Sequence, residues 1–290
     1  MKIFIIGGSG LVGTRLVALL QKKGHSLDDL SLTNGVDITN PSSLEIIRKD
    51  IEHDVVLHLA AKADVDGCEQ DKPLGENGSA FKINVGGTKN VVDACKVSNK
   101  KLLYISTDFV FDGKKDPPDS YSESDTPNPV NWYAETKYKG EEIVRNSNLN
   151  FAILRIAYPY RADAFELKKD FVHAIMGRLA ENKPVAAITD HIMTPTFIDD
   201  IAYAIDAVIE KDASGIYHIV GSQSLSPYDA SILIAERFGY DKILISKTTR
   251  DEYFKGKASR PFNLSLNNDK IEKLGVQMRT FEEGLKELKA

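Results

Sequence analysis

Two residues of opposite acid–base character stand one helical turn apart near the middle of the chain. Tyr133 and Lys137 have i and i+4 spacing, which places both on one face of a helix. A lysine cation held there would lower the phenol pKa from about 10 toward the range of a working acid–base catalyst. With 11 Tyr in the chain, such a pair also arises by chance, and the alternative is an exposed helix pair without consequence.

A hydroxyl upstream favours the catalytic interpretation of this pair. Ser106-Thr107-Asp108 follows the predicted strand Leu102–Ile105, and Thr107 precedes Tyr133 by 26 residues. Active sites of open α/β sheets lie beyond the carboxyl ends of the strands. A hydroxyl at that edge holds a carbonyl oxygen beside the phenol. We therefore predict a catalytic triad of Thr107, Tyr133 and Lys137.

The amino terminus carries a glycine pattern that suits a dinucleotide. Gly7-x-x-Gly10-x-x-Gly13 directly follows the apolar strand Ile3–Ile6 and opens a helix. Glycines in such a turn let the backbone touch a pyrophosphate at the helix N-terminus. The alternative is a strand-to-helix turn without a ligand. The spacing is similar to that of extended short-chain dehydrogenases/reductases, and we favour the dinucleotide.

Strands and helices alternate along the chain, and this order must position the candidate residues. Segments with the apolar, β-branched character of strands are Ile3–Ile6, Val55–Leu59, Leu102–Ile105, Phe151–Ile156 and Ile216–Val220, with a blurred one in Ser26–Asn34. Segments with helical periodicity are Leu11–Lys23, Phe81–Val97, Tyr133–Arg145, Lys168–Asn182, Ile198–Ile209 and Pro227–Phe238. Ser226 is a candidate N-cap before Pro227. We predict an α/β fold, a doubly wound parallel sheet of the Rossmann type with a smaller α/β substrate-binding lobe.

The same order suggests a division into two parts. We expect residues 1–160 to form the dinucleotide-binding Rossmann domain, with residues 196–221 returning to it. Residues 161–195 and 222–290 are expected to form the substrate-binding lobe. A Pro- and Asp-rich stretch, residues 116–129, predicts a long surface loop beside Tyr133.

Composition excludes several classes of function. The chain has 290 residues, 37 Lys+Arg against 42 Asp+Glu, and a formal net charge of −5, so we expect neither a nucleic-acid nor a membrane partner. Its two cysteines, Cys68 and Cys95, form no zinc-type spacing and are expected to be inert. No signal peptide or spanning segment is predicted, so we expect a cytoplasmic protein. His173 and His191 lack ligand partners in the sequence, and no metal is assigned.

A longer set of motifs resembles the dTDP-4-dehydrorhamnose reductase family of the extended short-chain dehydrogenase/reductase superfamily. The matching stretches are Ser106–Gly113, Tyr121-x-Glu123, Pro127–Glu141, Asp37–Asn40, Ala60-Ala61, Val65–Glu69, Asn84, Thr194–Thr196 and Arg260–Leu266. They extend over about residues 1–285. The chain departs from the family at Phe109, usually Tyr, at Tyr158, often Trp, and at Lys62, where His or Tyr is common.

The resemblance implies a role for each matching position. Contacts to NADP or NAD are implied for Gly7, Gly10, Leu11, Val12, Gly13, Asp37, Ile38, Leu59, Ala60, Ala61, Lys62, Tyr133 and Lys137. Contacts to the substrate are implied for Val65, Thr107, Asp108, Phe109, Tyr158 and Arg260. Lys137 would both tune Tyr133 and grip the nicotinamide ribose.

The implied activity is NAD(P)H-dependent reduction of the 4-keto group of a nucleotide-activated deoxysugar, by a homodimer. A 4,6-dehydratase needs a further acid–base group after Asp108, which Phe109 cannot supply. One alternative is a sugar-nucleotide epimerase of the same superfamily, which retains its NAD. The other is a non-catalytic regulatory subunit of methionine adenosyltransferase.

The sequence allows two roles each for Asp29 and Arg155. Asp29, if it ends the second strand, would bind the adenosine ribose and favour NAD, but it equally suits a surface turn. Coenzyme preference therefore stays open. Arg155 ends a strand near the expected site, where an ion pair or packing role stands beside a substrate contact.

Overall fold

A six-stranded sheet forms the centre of the fold in the computed structural model, which describes residues 1–289. The strands of the chain are β1 (Lys2–Ile6), β2 (Ser26–Asp29), β3 (Val55–His58), β4 (Lys101–Thr107), β5 (Phe151–Ile156), β6 (Pro159–Tyr160), β7 (Val185–Ile188), β8 (Thr196–Phe197), β9 (Gly215–His218) and β10 (Ile245–Thr248). The central order is β2-β1-β3-β4-β5-β9, and each pair is parallel. The order in which successive strands are added therefore reverses between β1 and β3, and open α/β sheets bind ligands outside the carboxyl ends of the strands at such a point.

Helices cover both faces of this sheet. They are α1 (Gly13–Lys22), α2 (Glu45–Lys49), α3 (Val65–Asp71), α4 (Ser79–Phe81), α5 (Thr88–Ser98), α6 (Trp132–Arg145), α7 (Phe171–Ala180), α8 (Ile198–Glu210), α9 (Pro227–Phe238), α10 (Arg250–Tyr253), α11 (Asp269–Glu272) and α12 (Phe281–Lys286). Short 3-10 turns occupy Leu32–Asn34, Pro41–Leu44, Lys72–Asn77, Asp108–Val110 and Lys242–Leu244. Among residues 1–289, no helix is both long and apolar enough to cross a membrane.

Successive apolar side chains of β1 point to opposite faces of the sheet, so helices must cover both faces. Ile3 and Ile5 join one apolar core with α1, α8 and α11, while Phe4 and Ile6 join another with α2, α5 and α6. The doubly wound α/β prediction is thereby confirmed. A third core packs α7, α9 and α12 together, beside the paired strands β6–β8 and β7–β10. The residue division into two domains stays a prediction.

The blurred second strand exists and lies at the edge of the sheet. β2 pairs only with β1 in the described chain, and its side chains alternate between exposed and half-buried. An edge strand tolerates Asp28 because its exposed carboxylate reaches the buried ring of His53 at 2.9 Å. The paired aspartates therefore blur the sequence pattern without preventing the strand.

Two predicted helices have different boundaries in the structure. The segment Lys168–Asn182 is helical only from Phe171 to Ala180, because the Asp170 carboxylate accepts from the His173 N–H and caps the helix there. Helical structure around Phe81–Val97 runs from Ser79 to Ser98 but includes a π-helical segment, Lys82–Gly87. A Cβ on Gly87 would meet Ile38 at 2.6 Å, so glycine here permits the close packing of this helical segment against Ile38.

The predicted surface loop is anchored to the C-terminal part of the chain. Tyr121 forms a β-bridge with Leu266, and its hydroxyl donates to Asp112 at 2.7 Å. Asn263 donates to the carbonyls of Lys115 and Asp119 at 3.1 and 2.9 Å. These contacts hold the loop before α6 against the Arg260–Leu266 segment.

A buried ion pair fixes α6 on the sheet. Arg155 of β5 donates to both carboxylate oxygens of Glu141, at 2.9 and 2.7 Å, and the two residues are 1% and 0% exposed. His218 of β9 lies 3.3 Å from the same guanidinium, and the Phe111 ring lies 4.9 Å below it. Arg155 therefore has the ion-pair role that the sequence allows beside a substrate contact.

Replacing Arg155 by Met is expected to destabilise the protein strongly. The change leaves a buried carboxylate without its partner, which costs about 3–5 kcal/mol. Adding Glu141→Leu removes that carboxylate, so the double variant is expected to recover much of the loss. Urea unfolding of both variants measures this. A single variant within about 1 kcal/mol of wild type would contradict the assigned role.

Candidate active site

The glycine-rich turn leads from β1 into α1 at the carboxyl edge of the sheet. Gly7 has φ +89°, and a Cβ there would stand 2.9 Å from the backbone nitrogen of Ala60. A Cβ on Gly13 would overlap the Gly7 carbonyl oxygen. At Gly10, in contrast, a Cβ would meet only that oxygen, at 3.6 Å, within the described residues. The outer two glycines are thus required by the fold, while Gly10 borders open space.

That open space lies at the N-terminus of α1, the place that the sequence predicts for the pyrophosphate of a dinucleotide. Leu11 and Val12 bridge Gly10 to the helix, and Val12 makes no side-chain capping hydrogen bond within residues 1–289. The positive end of the helix dipole therefore faces this space without a side-chain cap. Ala60 lies against Gly7 on the neighbouring strand end, where its N–H donates to the Ile6 carbonyl at 3.0 Å.

Asp29 is the last residue of β2 and lies against the glycine turn. One carboxylate oxygen accepts from the Gly8 N–H at 3.1 Å, and the other accepts from Ser31 and Asn34. The sequence predicts a contact between Asp29 and the adenosine ribose only if Asp29 ends the second strand. The structure meets that condition. Further along, Asp37 caps its own turn by accepting from the Thr39 N–H at 2.8 Å.

The structure places Thr107 of β4 beside Tyr133 of α6, with Lys137 one turn further along the same helix. Thr107 ends β4, and its hydroxyl donates to Asp108 at 2.9 Å and accepts from the Phe109 N–H at 3.2 Å. Asn131 caps α6 by accepting from the Ala134 N–H at 2.9 Å, which starts the helix directly before Tyr133. Backbone hydrogen bonds therefore fix both the Thr107 side chain and the start of the helix that carries Tyr133.

Lys137 is buried against the carboxyl-terminal half of β4 and forms no ion pair in the described chain. Its Nζ donates to the Ile105 carbonyl at 2.8 Å and lies 4.1 Å from the centroid of the Tyr104 ring. Burial lowers the Lys137 pKa to about 7, and Glu141, one turn further on, opposes that shift. Gly140 permits this packing, because a Cβ there would overlap the Tyr104 hydroxyl.

The expected lowering of the Tyr133 pKa is wrong for this structure. Burial raises the Tyr133 pKa well above its usual range, the Thr107 hydroxyl partly opposes this, and Asp108 adds to it. The physical reason is that burial removes the phenol from water and so disfavours the charged phenolate. At neutral pH the phenol is therefore protonated.

Asn84 joins two walls of the site through the π-helical segment. Its amide donates to the Lys62 carbonyl and to Thr136 of α6, at 3.1 and 2.9 Å, and its oxygen accepts from the Lys62 N–H at 2.8 Å. The Lys62 ammonium itself binds Asp71 and Ser79, at 2.9 and 2.6 Å. The contacts of Lys62 therefore tie the strand end to α3 and α4.

Predicted substrate contacts surround Tyr133 on its other side. Val65, Phe109, Tyr133 and Tyr158 belong to one apolar cluster, and the Phe109 ring lies 6.0 Å from Tyr133 and 6.4 Å from Tyr158. Burial raises the pKa of the Asp108 carboxyl to about 7. One of its oxygens has no hydrogen-bond partner within the described residues.

Arg260 reaches this cluster from the far end of the chain. Its guanidinium donates to Asp66 at 2.8 Å, and Asp66 belongs to the first turn of α3. A second donor of Arg260 binds the Ala258 carbonyl at 2.7 Å. The predicted substrate residue is therefore held at the site by a contact across 194 positions.

Sequence reasoning missed two residues near the site. Arg161 donates to the Leu11 carbonyl and to Thr14, beside the glycine turn, at 3.2 and 3.0 Å. His191, considered only as a metal ligand, contacts the Tyr158 hydroxyl at 2.8 Å. No local pattern marks either residue, because each contact joins distant segments.

Comparisons with known proteins match the whole chain. The family model of the RmlD substrate binding domain matches residues 1–290. The chain is 30% identical to dTDP-4-dehydrorhamnose reductase of Aggregatibacter actinomycetemcomitans, over 100% of this chain and 98% of the relative. It is 29% identical to methionine adenosyltransferase 2 subunit beta of Mus musculus, over 99% and 86%. The crystal structure of dTDP-4-dehydrorhamnose reductase from Bacillus anthracis in complex with NADP is similar, with TM-score 0.87, 27% identity and coverage of 98% and 97%.

Gly10→Val is expected to weaken dinucleotide binding at least about tenfold while leaving the fold intact. Its Cβ would meet only the Gly7 carbonyl oxygen, at 3.6 Å within the described fold, so the added side chain would enter the space beside α1. Gly13→Val is the matched control, expected to destabilise the protein because its side chain overlaps the turn. Titration with NADH and NADPH, together with thermal melts, measures both effects. Unchanged affinity in a folded Gly10 variant would make the turn purely structural.

Proposed function

The chain belongs to the RmlD substrate binding domain family, and from that membership we propose that it is an NAD(P)H-dependent reductase of the 4-keto group of a nucleotide-activated deoxysugar. The proposed substrate is dTDP-4-dehydrorhamnose and the product dTDP-L-rhamnose. The observation that carries the proposal is Tyr133, a protonated phenol held beside Thr107 at the carboxyl end of β4. Relatives named as reductases support the same activity.

The residues at the carboxyl edge suit the coenzyme. The glycine turn and the helix N-terminus of α1 would hold the pyrophosphate, and Lys137 would grip the nicotinamide ribose. An ammonium has more donors than the one that Ile105 accepts, so donors remain for the ribose hydroxyls. When bound, the reduced nicotinamide supplies the hydride.

Proton transfer in the proposed reaction belongs to Tyr133. A ketone oxygen gains negative charge as it is reduced, and Tyr133, protonated at neutral pH, donates its proton to that oxygen. Thr107 orients the same oxygen when its single hydroxyl proton turns from Asp108 to the substrate, while the Phe109 N–H still holds the hydroxyl oxygen. With its pKa raised, Tyr133 is in the protonated form that donation to the substrate oxygen requires.

The substrate-binding lobe is part of the proposal. We infer that residues 161–195 and 222–290 bind the nucleotide sugar, with Arg260 and the cluster around Phe109 as contacts. The aromatic rings of Phe109 and Tyr158 would pack on the apolar face of the deoxysugar. A homodimer in the cytoplasm also stays a prediction.

Coenzyme choice is proposed to favour NADH. Asp29 ends β2 with a carboxylate that would repel the 2′-phosphate of NADPH and hydrogen-bond the 2′-hydroxyl of NADH. Its contacts to Gly8, Ser31 and Asn34 keep the charge beside the glycine turn. The Asp29 carboxylate therefore supports binding of NADH rather than NADPH.

Asp29→Asn is expected to shift the ratio of NADPH to NADH affinity about tenfold toward NADPH, which corresponds to about 1.4 kcal/mol. The amide keeps the shape and the Gly8 contact but removes the charge. Asp28→Asn is the matched control, because that carboxylate binds His53 at 2.9 Å. Titration of each variant with both coenzymes measures the ratio. Equal shifts in the two variants would argue against a specific role of Asp29.

Turnover is tested with dTDP-4-dehydro-6-deoxy-L-mannose and reduced coenzyme. We expect stoichiometric NAD(P)H oxidation and a new C4 hydroxyl in the product. Tyr133→Phe should lower kcat by about 10²–10⁴ while coenzyme binding survives, and Thr107→Val should cost less. Tyr203→Phe, on the exposed face of α8, is the control.

Three outcomes would contradict the proposal. Redox-neutral conversion of the sugar with retained NAD would identify an epimerase. A stable complex with methionine adenosyltransferase without turnover would favour the regulatory alternative, which the Mus musculus relative suggests. Near-native turnover by Tyr133→Phe would exclude the triad.

A further inference from the structure

A buried histidine contacts the phenol of Tyr158 beside the candidate active site. His191 is 1% exposed, and its two ring nitrogens have different partners. Nδ1 lies 2.8 Å from the carbonyl oxygen of Pro261, and Nε2 lies 2.8 Å from the Tyr158 hydroxyl. Three separate segments of the chain therefore meet at this ring.

The partner at Nδ1 decides the tautomer of the ring. A carbonyl oxygen only accepts hydrogen bonds, so Nδ1 must carry the proton that it donates to Pro261. Burial lowers the His191 pKa to about 4, although the Pro261 carbonyl opposes this, so the ring is neutral at pH 7. Nε2 is then unprotonated and accepts.

The tautomer in turn fixes the hydrogen-bond polarity of Tyr158. Because Nε2 accepts, the Tyr158 hydroxyl must donate its single proton to His191. The phenolic oxygen then has only lone pairs for any other partner. A free tyrosine hydroxyl could turn to donate or accept, whereas this one can only accept.

Tyr158 faces the same cluster as the candidate proton donor. Its ring lies 6.4 Å from Phe109, which lies 6.0 Å from Tyr133, and Asp108 and Arg260 both act on its pKa. Its backbone has φ +40°, a conformation that costs a bulky residue energy and that clusters at functional sites. The surrounding contacts thus hold the phenol at this place.

We propose that His191 is a positioning residue that fixes Tyr158 as a hydrogen-bond acceptor for a hydroxyl of the substrate. This inference rests on the proposed function, because a deoxysugar ring carries hydroxyl donors beside its keto group. The hydroxyl that Tyr158 selects lies on the same sugar ring as the carbonyl that Tyr133 protonates. His191 thereby determines substrate specificity without touching the substrate.

Two isosteric variants separate this role from a structural one. In His191→Gln the side-chain oxygen takes the place of Nε2 and still accepts from Tyr158. In His191→Asn the amide takes the place of Nδ1 and still donates to Pro261, but the acceptor for Tyr158 is lost. Tyr158→Phe removes the hydroxyl itself and is the reference.

Kinetics with dTDP-4-dehydro-6-deoxy-L-mannose provide the first readout. His191→Asn and Tyr158→Phe are each expected to raise KM about tenfold with kcat changed less than about threefold, and the double variant to add no further increase. His191→Gln should stay within about threefold of wild-type KM. A role limited to packing predicts similar losses for Gln and Asn, which would overturn the proposal.

The nitrogen-15 spectrum of His191 provides a readout without turnover. We expect a protonated Nδ1 and an unprotonated Nε2 in wild type, with the Nε2 signal moving in Tyr158→Phe. A protonated Nε2 would overturn the inference. If wild type reduces no keto sugar, the proposed function fails. Titration of the coenzyme-loaded protein with dTDP-L-rhamnose then tests His191, and equal affinity of the Asn variant and wild type would overturn its role.

Discussion

The pairing of Arg155 with Glu141 is the constraint on which the candidate site depends. Both groups are removed from water, so neither is stable without the other, and the pair has one favourable geometry. That geometry fixes α6 against β5. Since Tyr133 and Lys137 lie on the preceding turns of the same helix, the ion pair also sets where the phenol and the ammonium stand relative to the strand ends.

Desolvation raises the pKa values of the acids of the site and lowers that of its lysine. The same burial keeps Tyr133 protonated, brings the Lys137 pKa near 7 and raises that of Asp108 to about 7. A site of this kind holds few permanent charges before ligands enter it. Charge that develops on a substrate oxygen would therefore interact strongly with the nearby hydroxyls, because little water is present to screen it.

Contacts over long sequence separations complete the site. Arg260 reaches Asp66, Arg161 reaches the glycine turn, and His191 reaches Tyr158. All three residues follow β5 in the chain. Leu11 and Tyr158, which they contact, are predicted site residues, and Asp66 is the neighbour of the predicted substrate residue Val65. The later segments therefore shape the site as well as cover it. This arrangement explains how the proposed specificity arises from residues that never touch the reacting carbonyl.

The amino-acid sequence by itself determined the parallel α/β fold and the identity of the candidate triad. Apolar runs mark strands buried on both faces, and the spacing of Tyr133 and Lys137 follows from helical geometry, so both are local properties of the chain. Tertiary structure alone decided the protonation states and the role of His191. Burial shifted the Tyr133 pKa upward against the expectation, and the tautomer of His191 depends on Pro261, 70 residues away. Desolvation and long-range contacts arise only when distant segments pack together, and sequence spacing contains no measure of either.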